Sequence, residues 1–167
     1  MALIDRTYFT CELDIPRTSN VDVQARLNKF IDKYEKEFLK LLLSDALYTE
    51  YWANITYQGV ELDDEYMDVK WSNLRSKVTK NMIACYVYFY WMRDAAQQNT
   101  GIGVVESKAE NATVVSGSWK MVRAWNEMVD GILELYDFLD LNKEVYTTWK
   151  PYYRHNLYFR YINAMNI

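Results

Sequence analysis

Between Met82 and Met92 the chain reads MIACYVYFYWM, eleven residues without a single charge. Coiled as a helix, this stretch makes three turns that are apolar on every face, and such a helix has to be covered on every face. It is too short and too rich in tyrosine to span a bilayer. The segment is therefore either the central helix of a bundle or a helix that faces a subunit interface as well as its own core. Leu74, Val78, Met82, Cys85, Phe89, Met92 and Ala96 give its main stripe, which predicts one long helix from Trp71 to Gln98, stopped by Gly101.

The remaining helices follow from three- and four-residue spacing. Leu27, Phe30, Ile31, Tyr34, Phe38 and Leu41 predict a first helix opening at Ser19 or Asn20, with Asp22 at its positive end. Ser44 is expected to cap a shorter second helix carrying Leu47, Tyr48, Tyr51, Trp52 and Ile55. A fourth helix runs from Ser118 to Leu141, with Trp119, Val122, Trp125, Val129, Ile132, Leu133, Tyr136 and Leu139 on one face. The fold class is all-α, a four-helix-type bundle over residues 20–141.

Three segments break this pattern. In residues 1–19, Phe9, Cys11, Leu13 and Ile15 alternate with Thr10, Glu12 and Asp14, which predicts an extended N-terminal arm or edge strand lying on helices or on a neighbouring chain. Residues 100–117 bracket a polar stretch, Glu106 to Ala112, with the pairs Val104–Val105 and Val114–Val115, and form a long loop or a β-hairpin. Strand is expected only within 5–15 and 102–116. Residues 142–167 carry so many aromatics that they have to dock on something. They are read as a C-terminal docking arm that binds a partner protein or an adjacent subunit through Trp149, Tyr152, Tyr153, Arg154, Tyr158, Phe159 and Arg160. The competing reading is a fifth helix folded back on the bundle.

No pattern of catalysis stands in the chain. His155 is the only histidine and has no nucleophile motif to serve. Cys11 and Cys85 belong to no Cys/His set, so neither a zinc site nor a disulfide framework is expected. Glu61, Asp63, Asp64, Glu65 and Asp68 fit no calcium-loop spacing and read as a solvated loop. Gly101-x-Gly103 lacks the third glycine of a nucleotide fingerprint. The expected assignments are no catalytic residue, no cofactor and no metal. The net charge of −4 argues against a protein that grips nucleic acid by its phosphates, though not against one that surrounds DNA without holding it. No basic-then-apolar leader opens the sequence, and a reduced, cytosolic setting without membrane contact is expected. The 15 Tyr, 6 Trp and 6 Phe suit either an aromatic core or broad contact with partners.

The stretch FIDKYEKEFLKLLLSDALYTEYW, Phe30 to Trp52, resembles the opening helices of head–tail connector proteins of tailed bacteriophages, in which Glu-x-x-Leu leads into an "LG-x-x-LY-x-E" turn and helix. Ser44 stands where the glycine of that turn is expected. IACYVYFYWMRDAAQQNTGIGVVESKAENA resembles the aromatic central helix and the "TG-x-GVV-x-x-x-x-EN" loop of those proteins, and SWKMVRAWNEMV the helix after it. The likeness covers Asn20 to Gly131 and is strongest to the adaptor, or ring, proteins of crAss-like phages of Bacteroidota. It implies a homo-oligomeric ring, usually a dodecamer, below the portal protein. It also implies downstream tail or ring proteins as partners, DNA passing without sequence-specific binding, and a place in the virion neck after assembly in the host cytoplasm. The alternative from another class is a monomeric helical protein-binding module or regulator without catalytic activity.

Overall fold

Asn20 opens the first helix as its sequence suggests: its side-chain oxygen accepts the N–H groups of Asp22 (2.9 Å) and Val23 (3.3 Å). In the computed structural model, which describes residues 2–100, 103–106, 118–150 and 159–163 (backbone only for 96–100 and 103–106), helix α1 then spans Val21–Ile55. It is kinked at Ser44, where the backbone takes φ 67°, ψ 157°. The expected serine cap is not formed. The Ser44 hydroxyl is buried without a hydrogen-bond partner among the described residues, and the bend is made by a backbone conformation that glycine adopts without strain.

A second departure follows at once. Thr56–Tyr57 (β1) pairs antiparallel with Val60–Glu61 (β2), although strand was expected only in two other places. Gln58 and Gly59 both take positive φ, 50° and 78°, as a tight two-residue hairpin turn requires.

The long third helix is in fact two. Helix α2 covers Val69–Lys77 and α3 covers Lys80–Ala96. Val78 leaves the helical region (φ −82°, ψ 79°), and the Thr79 hydroxyl accepts the Met82 N–H at 3.3 Å, restarting the helix. Asp68 caps α2 by accepting the Lys70 N–H. Every residue from Met82 to Phe89 is buried, as an all-round apolar helix demands, and α3 packs on both α1 and Ser118–Leu141 (α4). Trp119 and Leu133, expected on the core face of α4, are exposed instead; Met121, Ala124, Met128 and Leu135 are buried there alongside Trp125, Val129, Ile132, Tyr136 and Leu139. After α3, Gln97–Thr100 (β3) pairs with Gly103–Glu106 (β4), so the hairpin starts before residue 102. Val114–Val115 and the polar tip beyond Glu106 lie outside the described residues.

The N-terminal segment is not a strand. Residues 2–15 make two single 3-10 turns, Arg6–Tyr8 and Cys11–Leu13, and bury Leu3, Ile4, Phe9, Leu13 and Ile15 in the core of the bundle. Period two fails at Cys11, whose φ of 55° turns it outward to solvent. At the other end, residues 142–150 and 159–163 fold back on the bundle without forming a fifth helix. Tyr146 and Trp149 are buried, the Tyr146 hydroxyl donates to the Lys70 carbonyl (2.7 Å), and the Trp125 indole N–H donates to the Arg160 carbonyl (2.8 Å).

Candidate interaction surface

The side chains expected to reach a partner separate into three groups. Trp149 is 7% exposed and packs against Tyr136, so it belongs to the chain's own core. Phe159 is half-buried between Phe38 and Trp125. Arg160 has an exposed side chain while its carbonyl is held by Trp125. Tyr152, Tyr153, Arg154 and Tyr158 lie outside the described residues, as does His155.

Apolar surface left open occurs elsewhere. Tyr57 and Val60 flank the turn of the first hairpin and are 67% and 65% exposed; Tyr66 and Val69 follow on the approach to α2. Leu141 and Val145 lie at the end of α4, a part of the chain tied to α2 by the Tyr146–Lys70 hydrogen bond and by Tyr146 stacking edge-on to Trp71. Sequence spacing does not reveal the contact of α2 with α4, because it is tertiary rather than along one helix.

Three carboxylates of the acidic run, Glu61, Asp64 and Asp68, serve structure, while Asp63 and Glu65 are exposed. Glu61 pairs with Arg75 and Lys80 (2.7 Å), and Asp64 accepts from Arg75 and from Ser72 (2.9 Å), which with Arg75 holds the Asp64 carboxyl below its ordinary value. Together with the Asp68 cap, these bonds pin the hairpin and the following turn to α2 and the start of α3. Among the described residues no three His, Cys, Asp or Glu side chains are grouped to hold a metal ion, and no helix is long and apolar enough to cross a membrane. Cys85 is buried, and burial pushes its thiol up to about 12, so it stays protonated.

Of the clefts on the described surface, two meet the N-terminal segment. One, of about 210 Å³, lies between the Cys11–Leu13 turn and α4, with Trp119, Arg123 and Glu127 on its wall. The other, of about 290 Å³, lies between Leu3, Tyr51 and the Arg75–Lys80 region. Both are bordered by the N-terminal segment, which makes that segment part of the surface as well as part of the core. Compared with protein-family models, curated proteins and solved structures, the chain matches none.

Proposed function

We propose that this chain is a structural ring subunit, a head–tail adaptor of a tailed phage that sits below the portal and extends the DNA tunnel toward the tail. The resemblance of the segments from Phe30 to Val129 to connector proteins supports that reading. The single observation that carries it furthest is the open apolar surface at Tyr57, Val60, Tyr66, Val69, Leu141 and Val145 on a chain whose core is already closed. Large apolar side chains left open suit lateral contact with further chains. A structural role fits the acidic run as well, since Asp68 serves as a cap and Glu61 and Asp64 as ion-pair partners. A ring of a mildly acidic subunit would let DNA slide instead of gripping it. Of the docking residues, Trp149 serves the fold of the subunit; Arg160 and the Tyr152–Tyr158 region are the portal-facing part of the reading.

The test is the size of the purified particle, alone and mixed with the portal protein of the same phage, followed by electron microscopy of the virion neck. Rings that co-sediment with portal are expected. A chain that stays monomeric and ignores portal protein while capturing a different helical partner would replace this reading with that of a binding module.

A further inference from the structure

Residues 2–15 are attached to the bundle in an unusual way. Among the described residues they share no helix or strand ladder with it. Their backbone is held where the Leu3 N–H donates to Glu35 Oε1 (2.9 Å) and Oε2 (2.8 Å) and the Ile4 N–H to Oε2 (3.2 Å). Leu3, Ile4, Phe9, Leu13 and Ile15 fill the groove between helices, and Glu12 pairs with Arg123 of α4 at 2.7 Å. The whole segment thus behaves as a strap seated by apolar side chains, a buried carboxylate and a surface ion pair.

The joint between strap and bundle is short and strained. Pro16 precedes Arg17, which takes φ 63°, a conformation costly for a residue with a side chain, and the turn is closed by the Asn20 N–H donating to the Arg17 carbonyl (2.9 Å). A strained hinge next to an element held only by side-chain contacts is the arrangement that invites exchange between copies, because opening relieves the hinge and every docking contact is re-formed on the neighbour. Residues 16–20, extended, reach about 17 Å, enough to cross to a chain in direct contact.

We propose that the strap exchanges between copies of this chain: in its assembled form, residues 2–15 of one copy occupy the groove of a second copy, with their backbone N–H groups on that copy's Glu35. The occupant is defined by the groove itself, which already fits this sequence. Repeated head to tail, the exchange links each subunit to the next; made reciprocally, it gives a dimer. Neither outcome depends on whether portal protein is the final partner.

Cross-linking decides it. In a Cys11→Ser background, Glu12→Cys and Arg123→Cys change two exposed members of an ion pair and leave the core intact. The two single variants are co-expressed, the assembled particle is isolated, and a short homobifunctional maleimide is added. A covalent dimer joining residue 12 of one copy to residue 123 of another is expected from the mixture and from neither variant alone. Arg17→Gly, which removes the hinge strain of the closed form, should lower the dimer yield several-fold. The proposal is overturned if the mixed particle gives no dimer while the Glu12→Cys/Arg123→Cys double variant links within its own chain, or if the chain stays monomeric at every concentration.

Discussion

Met82 fills the space that Gly131 leaves empty. A β-carbon added to Gly131 would lie 2.5 Å from the Met82 sulfur and 2.8 Å from its Cγ, closer than such atoms approach, so the α3–α4 contact depends on the missing side chain. Alanine favours a helix over glycine by about 1 kcal/mol, which on an open surface would stabilise α4. Here Met82 is buried and cannot swing away freely. Gly131→Ala is expected to lower stability by roughly 1–2 kcal/mol, the range for overpacking a core. Chemical denaturation measures it, and a stabilised variant would show that Met82 yields easily.

Ser44 gives the opposite expectation. Its φ of 67° with ψ of 157° belongs to a region that only glycine occupies without strain, and its buried hydroxyl has no partner among the described residues. Ser44→Gly should therefore raise stability by about 1 kcal/mol, removing strain and an unsatisfied polar atom together. A fall in the thermal midpoint would mean that the kink is not as described.

How much of this was legible in the sequence depends on how local the cause is. The Asn20 cap, the burial of Met82 to Phe89 and the bounds of α4 follow from spacing and from one side chain bonding its own backbone. The break at Val78–Thr79 was hidden because the apolar stripe runs on through it, while the hydroxyl of Thr79 restarts the helix. The strand expected at residues 5–15 rested on alternation, and one left-handed residue, Cys11, is enough to undo it. The Gln58–Gly59 turn is a two-residue hairpin signal that the neighbouring acidic run obscured. Which apolar side chains stay open, Tyr66, Val69, Leu141 and Val145 among them, depends on tertiary packing and leaves no trace in spacing.

Val87 is fully buried in α3. Val87→Lys would place an ammonium in a fully buried apolar site, at a cost of roughly 3–5 kcal/mol. Phe89→Asp, also in the core, should behave alike. Near-native melting of either variant would show that α3 does not hold the centre.

Stability should fall as pH rises from about 4.5 to about 7, and Glu35 is the cause. It is 3% exposed, and burial pushes its carboxyl up to about 7 against the pull of the Leu3 and Ile4 N–H groups. The folded chain therefore holds a proton there that the unfolded chain releases near the ordinary value of 4.5. The contribution is complete below that value, declines as pH rises to about 7, and is gone above it, a drop of up to roughly 3 kcal/mol. Asp5 and Asp64 lie below their ordinary values and act in the other direction, but only in more acidic solution. Denaturation of the wild type at pH 5 and pH 8 reads the slope, and Glu35→Gln should flatten it. An equal slope in that variant would assign the effect elsewhere.

The last expectation concerns the C-terminal segment, which on sequence grounds was a docking arm that could be removed without harm to the bundle. Its described parts are woven into the fold. Tyr146 closes over Trp71 and Phe138 and bonds the Lys70 carbonyl, Trp149 rests on Tyr136, and Phe159 wedges between Phe38 and Trp125. Asn126 on α4 then grips Ile162 twice, donating to its carbonyl at 3.0 Å and accepting its N–H at 2.9 Å. Truncation after Leu141 removes two buried aromatics, and losing even one from a core costs about 3–5 kcal/mol. It also bares the face of α4 that carries Trp125 and Tyr136. The truncated chain is expected to unfold at lower denaturant or to aggregate, with or without a partner present. Ending the chain after Lys150 keeps Tyr146 and Trp149 and should cost less, so that an effect of the removed residues on partner binding can be read on a folded protein. If truncation after Leu141 leaves the melting transition unchanged, the segment is an arm after all, and the packing of Trp149 on Tyr136 contributes nothing to the fold.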